Sequence, residues 1–391
     1  MPEFKTLKDF DIKDKRVLVR CDFNVPLDDK EEHIDDDWKI RKSLPTIQYL
    51  LDKGAKQIVL MSHLGRPKGE IVDNLKMNKV ADRLAELLGQ PILKLNDCID
   101  EEAPEDERII LLENLRFHSA EKDSNEHFAK ALSEYGEIFV NDAFGTCHRA
   151  HASVVGVPKF LPSCAGLLLE DEIKHLSSVV DPERPACAIL GFAKIASKFG
   201  MMRKLFEKLD FVLMGGAVVF TFLKAKGFEV GKSKVEEDDI QLAKDLMIDF
   251  EDKIIFPSDF VVADRMEEGA KTKTVGIADF PIDKMGLDIG PESVSFFIEK
   301  LSEAKTVVWN GPLGVFEIEE FSNGTREIAE YLADADKTVV IGGGETSEAI
   351  RKFKLDSKMT WVSTGGGASM DYLEDKELPG ITALEENTLR F

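Results

Sequence analysis

Along the chain, short runs of consecutive apolar residues alternate with longer segments whose apolar residues recur every three or four positions. The short runs predict strands at Arg16–Cys21, Gln57–Met61, Ile109–Leu112 and Ile138–Val140 in the first half. In the second half they predict strands at Cys187–Leu190, Phe211–Met214, Ile254–Phe256, Thr306–Trp309, Thr338–Ile341 and Thr360–Ser363. The periodic segments predict helices, among them Leu75–Leu88, Glu126–Tyr135, Glu236–Phe250 and Pro291–Leu301. Such alternation yields an α/β protein whose parallel sheets are covered by helices on both faces. Ligands then bind beyond the carboxyl ends of the strands. With 391 residues the chain exceeds a single hydrophobic core, so two domains are expected. The helical stretch Leu167–Val180 is the natural connector, because the prolines of Asp181-Pro182-Glu183-Arg184-Pro185 stop a helix and stiffen the chain beyond it.

Charge narrows the choice of partner. Lys and Arg number 51 against 73 Asp and Glu, a formal charge of −22. That balance argues against nucleic acid and anionic membranes as partners. The five cysteines form no C-x-x-C pair, which suits a reducing compartment and suggests no metal site. The polar, acidic N-terminus reads as neither a signal nor a transit peptide, and no apolar run approaches a membrane span. The expected location is the cytoplasm.

The two halves differ in the residues at the ends of their strands. In the first, the strands run into Asp22-Phe23-Asn24, Ser62-His63-Leu64-Gly65-Arg66, Glu113-Asn114-Leu115-Arg116 and Asn141-Asp142, the last followed by His148-Arg149-Ala150-His151. If these strands are parallel neighbours, Arg66, Arg116 and Arg149 converge on one mouth. Any one of them alone reads as a surface salt bridge; three at successive strand ends call for an anion, and guanidinium forks suit phosphate and carboxylate. In the second half the strand ends are glycines: Gly191, Gly215-Gly216, Gly311, Gly342-Gly343-Gly344 and Gly365-Gly366-Gly367. Glycine lets backbone approach a ligand, and a following helix N-terminus offers N–H groups to phosphate, so the set points to a nucleotide. Gly227–Ser233 is not a P-loop, having three residues between its glycines where that motif needs about four. Lys194 and Lys198 would share one face at a helix start. Glu317 and Glu345 could hold ribose or magnesium. His148 and His151 read as hydrogen-bonding residues.

With these residues in order, the sequence resembles the phosphoglycerate kinase family over essentially its whole length. The resemblance rests on VRCDFNVP, SHLGRPKG, LLENLRFH, VNDAFGTCHRAHAS, GLDIGPES, VVWNGPLGVFE, VIGGGETSEAI and STGGGASMDYLEDKELPG. It implies two Rossmann-like, doubly wound parallel-sheet domains joined by a helix and hinge. Residues 1–168 would bind 3-phosphoglycerate or 1,3-bisphosphoglycerate, with 374–391 packing back on them. Residues 169–183 would connect, and residues 184–373 would bind ATP or ADP with Mg2+. Asp22, Phe23, Asn24, Lys39, His63, Leu64, Gly65, Arg66, Arg116 and Arg149 are the implied substrate contacts. Lys194, Lys198, Gly215, Gly216, Asn310, Pro312, Glu317, Gly343, Gly344, Glu345 and Thr346 are the implied nucleotide contacts. Lys39, Lys194 and Lys198 would act in catalysis, and Glu345 would hold magnesium directly or through water. The resemblance also suggests a monomer.

The absence of a nucleophile–base pair fits this chemistry. The substrate carboxylate and the ADP β-phosphate are already ionised, so positioning and charge neutralisation remain, with hinge closure joining the ligands. Four departures from the family pattern lie near the chemistry. D-D-T-R-I-R is here Asp36-Asp37-Trp38-Lys39-Ile40-Arg41, so charge survives without the bidentate fork, an expected cost of about 1–3 kcal/mol in the barrier unless compensated. Arg41, two residues on, should face elsewhere. G-G-A-K-V-S-D-K is here Gly191–Lys198 with Phe192 for glycine, and Ala196 or Ser197 stands where the aspartate is expected. G-G-G-D-T has become G-G-G-E-T at Glu345. The alternative reading is a binding protein of this fold with weak or lost transfer.

Overall fold

A computed structural model describes residues 3–28, 30 and 32–391. The N-terminal Met1 and Pro2, on which the leader reading partly rests, lie outside that range. Two compact units are formed, one from residues 1–174 and 377–391, the other from 175–376, the division falling inside the helix Leu167–Val180.

In the first unit six strands form one parallel sheet: β1 (Arg16–Arg20), β2 (Gln57–Met61), β3 (Leu93–Lys94), β4 (Ile109–Leu111), β5 (Ile138–Asn141) and β6 (Ser163–Ala165). Their order is β3-β4-β2-β1-β5-β6. Alternation along the strands divides the core in two, as the two-residue period of a strand requires. Val17, Val19, Ile58 and Leu60 pack with α1 (Trp38–Asp52) and α2 (Asn78–Leu88), whereas Leu18, Val59 and Met61 pack with α3 (Glu126–Ser133). Both sheet faces are thereby covered. The helix Leu167–Val180 is α4. The C-terminal residues belong to this unit: the Gly380 N–H donates to the Cys147 carbonyl at 2.9 Å, and Asn387 accepts the Ser163 N–H at 2.8 Å.

The second unit holds β7 (Ala186–Leu190), β8 (Phe211–Met214), β9 (Ile254–Ile255), β10 (Asp259–Ala263), β11 (Lys273–Gly276), β12 (Met285–Ile289), β13 (Thr306–Asn310), β14 (Thr338–Gly342) and β15 (Trp361–Val362). A parallel sheet runs β15-β14-β13-β7-β8-β9, and a small antiparallel sheet, β11-β10-β12, stands beside it. The expected parallel sheets are both present, and the small antiparallel sheet is an addition to them. Its helices are α5 (Phe199–Lys208), α6 (Val218–Ala225), α7 (Ile240–Phe250), α8 (Pro291–Glu303), α9 (Asn323–Asp334), α10 (Gly344–Lys352) and α11 (Gly367–Leu373); α12 (Pro379–Arg390) completes the first unit.

Strand order reverses beside β1 in the first sheet and beside β7 in the second, and such switch points open a crevice at the carboxyl ends. All five cysteines are buried and unpaired in the two cores. Among the described residues no helix is long and apolar enough to cross a membrane.

Candidate functional site

At the switch point of the first unit, buried amides shape the loops. Asn114 accepts the N–H groups of Leu64 at 3.2 Å and Arg116 at 3.1 Å, and donates to the carbonyls of Leu64 at 2.7 Å and Leu75 at 2.9 Å. One side chain thus ties the loop after β2 to the loop after β4. Asn24 accepts the Gly65 N–H at 2.8 Å, and Ser62 accepts the Phe23 N–H at 2.9 Å. Gly65 adopts φ +64°, and a Cβ there would lie 2.8 Å from the Leu75 side chain. Phe23 and Leu64 point into the core, so any part they take in ligand binding falls to their backbone.

Within these loops lies a cationic cluster. Arg20, wholly buried, donates Nε to Ser153 Oγ at 2.9 Å and lies 3.1 Å from His63 Nδ1 through Nη2. Arginine can only donate, so His63 Nδ1 accepts and the ring proton sits on Nε2. Burial, then Arg20, pushes the His63 pKa well below its usual value, leaving a neutral ring. Arg116 donates Nη1 to the Gly65 carbonyl at 2.8 Å, while its buried Nε and Nη2 meet no acceptor among the described residues. Burial and the charges of Arg20 and Arg149 lower its pKa to about 10, which keeps it charged at neutral pH. Buried donors without acceptors are costly, and an anion relieves that cost.

One buried countercharge, Glu121, accepts from the Ser153 N–H at 2.9 Å and hydroxyl at 2.7 Å, and a second, Asp22, is taken up by Lys39. His151 lies 3.6 Å from it, but burial and Arg116 bring the His151 pKa down to about 3, so the contact is not an ion pair. Arg149, half-buried one turn beyond β5, donates Nε to His148 Nε2 at 3.0 Å. Arg66 stands at the exposed end of the loop held by Asn24 and Asn114. Arg20, Glu121, Ser153 and Asn114 were not singled out in the sequence; the one available signal was an arginine closing the apolar run of β1.

Lys39, in the first turn of α1, donates to Asp22 Oδ2 at 2.7 Å. Burial alone would raise the Asp22 carboxyl, but the charges of Lys39 and Arg20 hold it well below the usual carboxylate range. Arg41 turns to Asp37 at 2.8 Å, an aspartate shared with Arg83, and so does not stand in for Lys39.

In the second unit a cavity of ≈910 Å³ opens where β7 and β13 adjoin, lined among others by Gly191, Gly216, Pro312, Leu313, Glu317 and Glu345. Several glycines here serve neighbouring backbone. A Cβ on Gly216 (φ +55°) would lie 1.9 Å from the Gly191 carbonyl, and one on Gly311 (φ +93°) would lie 2.1 Å from the Phe192 nitrogen. One on Gly215 would lie 2.3 Å from Leu313. That differs from the ligand-approach reading of the whole set. Gly344, by contrast, has open space around its Cβ position and begins α10 after Gly343 (φ +84°). The first N–H groups of that helix lack intrahelical partners and suit a phosphate. Beside them Asn310 is buried, and its Nδ2 meets no acceptor among the described residues. Thr346 Oγ1 accepts the Gly311 N–H at 2.6 Å.

Lys194 and Lys198 do not share a helix face. Lys194 lies exposed in the loop after β7, and only a 3-10 turn, Ala196–Lys198, precedes α5. The reason is a long-range contact: the N–H groups of Ile195 and Ala196 bond to Asp239. Lys198 Nζ touches Met370 Sδ; burial lowers its pKa while Glu345 and Asp371 pull the other way. Phe192 is buried and is not among the residues lining the cavity, so its ring takes no room from a ligand there. The exposed carboxylate of Glu345, beside the open helix end, offers the hard oxygen donor that a cation shared with phosphates requires.

Residues 7–376 match the family model described as phosphoglycerate kinase. The chain belongs to the phosphoglycerate kinase family. A phosphoglycerate kinase from Dictyoglomus turgidum is 49% identical over 97% of this chain and 98% of its own length, and one from Trichodesmium erythraeum is 48% identical over 97% and 98%. Among solved structures, phosphoglycerate kinase from Coxiella burnetii is similar with a TM-score of 0.89 and 36% identity, covering 99% of this chain and 100% of that one. The chain is accordingly an enzyme of the kinase class, and nothing favours the reading as a binding protein without transfer. Against the phosphoglycerate kinase pattern, Lys39 keeps a cation beside Asp22, Phe192 is absorbed by the core, and Glu345 keeps its carboxylate at the head of α10.

Proposed function

We propose that this chain transfers a phosphoryl group reversibly between 1,3-bisphosphoglycerate and ADP, giving 3-phosphoglycerate and ATP. The two buried N–H groups of Arg116 that lack an acceptor carry the placement of the acid in the first unit. Arg116, Arg149 and Arg66 bind its phosphate, while Asn24, His63 through Nε2–H, and the Lys39–Asp22 pair orient the carboxylate end. The nucleotide occupies the cavity of the second unit against Gly215, Gly216, Pro312 and Glu317. Its phosphates meet Asn310 Nδ2 and the N–H groups of Gly344, Glu345 and Thr346.

Both nucleophiles are ionised near neutrality, so no general base is needed, in keeping with the neutral His63 and His151. Lys39, Lys194 and Lys198 neutralise charge on the in-line transferring group. Glu345 would hold magnesium, directly or through water, and the bound ion would supply further charge neutralisation. The enzyme works as a cytoplasmic monomer.

The test is Arg116→Gln. A charge-assisted hydrogen bond contributes about 1.5–3 kcal/mol, so the KM for 3-phosphoglycerate should rise roughly 10- to 100-fold while ADP affinity by calorimetry stays unchanged. An unaltered 3-phosphoglycerate KM would remove Arg116 from the site.

A further inference from the structure

The loop from Phe192 to Phe199 carries Lys194 and Lys198, yet little within it fixes its shape. Ser197 Oγ reaches only the Lys194 carbonyl at 3.3 Å, and the Lys198 N–H reaches the Ile195 carbonyl at 2.8 Å. Its stem is fastened by backbone: the Gly191 N–H donates to the Asn310 carbonyl at 3.0 Å and the Val218 N–H to the Phe192 carbonyl at 2.7 Å. Its middle is fastened from outside. Asp239 Oδ2 accepts the N–H of Ile195 at 2.8 Å and of Ala196 at 3.1 Å.

Asp239 stands at the N-cap of α7, where an aspartate ordinarily accepts N–H groups of its own helix. It makes no such bond. It is only 6% exposed, and its turn is tied to α6 where the Glu236 N–H donates to the buried Thr221 hydroxyl at 3.1 Å. No ion pair joins it to either lysine among the described residues, so the clamp acts on the backbone of the loop and not on its ammonium groups. Where the family motif carries an aspartate inside this loop, the chain has Ala196 and Ser197, and a carboxylate arrives from another element.

We infer that Asp239 is a positioning residue that sets the lysine loop by clamping the Ile195 and Ala196 amides, and so places Lys194 and Lys198 for phosphoryl transfer. The inference rests on the proposed role of those lysines. A backbone carboxylate clamp is a direct means of placement, because a catalytic group displaced by about 1 Å loses on the order of a hundredfold in rate.

The experiment compares Asp239→Ala, Asp239→Asn and the double variant Asp239→Ala/Ser197→Asp with the parent. It measures kcat, both KM values, thermal stability, and amide exchange at Ile195 and Ala196. In Asp239→Ala the two amides should exchange at least tenfold faster and kcat should fall roughly 10- to 100-fold, with the 3-phosphoglycerate KM unchanged. Asp239→Asn, whose amide oxygen still accepts, should recover most of kcat, and Ser197→Asp should recover part of it. An unchanged kcat in Asp239→Ala overturns the inference. So does a fall that follows lost thermal stability and is not recovered by asparagine. Lys198→Ala serves as the separate control: full turnover there would sink the lysine assignment itself, whatever Asp239 does.

Discussion

Around Lys39 the structure sets one ammonium against one buried carboxylate, 2.7 Å apart, at the place where a fork of two N–H donors is the family's habit. An ammonium supplies charge but not bidentate geometry, so Lys39→Arg should leave turnover equal to or above the parent's, and Lys39→Met should lower kcat about a hundredfold or more. Steady-state assays with 3-phosphoglycerate and magnesium–ATP decide it; undiminished turnover in Lys39→Met would take Lys39 out of the chemistry. Arg116 and Arg149 drew notice in the sequence because each stands in the loop after a strand. Arg20 did not, since a strand period says that a residue is on a face without saying what shares it. Its partner Ser153 is 133 positions away, and Glu121 and Asp239 are likewise long-range partners that no local pattern announces.

Ten sheet strands and the four named helices could be read from periodicity to within four residues at their ends; α1, β3, β6, β10, β11 and β12 were not read. β11 is exposed at three of its four positions and lacks the continuous apolar run that marks a strand buried on both faces, whereas β10 carries such a run, Phe260–Ala263, that was passed over. The glycines were legible as strand ends but not by purpose. Gly216→Ala must push backbone at 1.9 Å, so it should lower the melting temperature of the second unit by several degrees, as a loss of ~2 kcal/mol or more would. Gly344→Ala meets open space and should keep the melting temperature within a degree or two while weakening nucleotide binding, if the head of α10 holds phosphate. Calorimetry of both variants, with and without ADP, separates packing from ligand contact. Equal melting shifts would refute the distinction.

Over the whole molecule, buried acids and imidazoles oppose one another in pH. Burial pushes Asp142 and Asp288 up to about 8, so between about pH 4 and 8 the folded state holds protons that the unfolded chain releases. Each therefore contributes stability that is complete below the unfolded pKa and is lost as pH rises, at ~1.4 kcal/mol per unit. His63 and His151 act in the other sense: their folded pKa values are depressed, so the unfolded chain takes up protons below about pH 6.5 and stability falls with acid. The two effects offset one another below about pH 6.5 and leave a decline between pH 6.5 and 8. Urea midpoints across that range should fall with pH, and Asp142→Asn should halve the slope; a slope untouched by that change would show Asp142 ionised throughout. The burial of the five thiols has a use of its own. Cys21, Cys98, Cys147 and Cys164 lie in the first unit and Cys187 alone in the second. A thiol reagent that reacts only with opened chain thus counts four in one unit and one in the other, so the protein carries an unequal tally of which half has come apart.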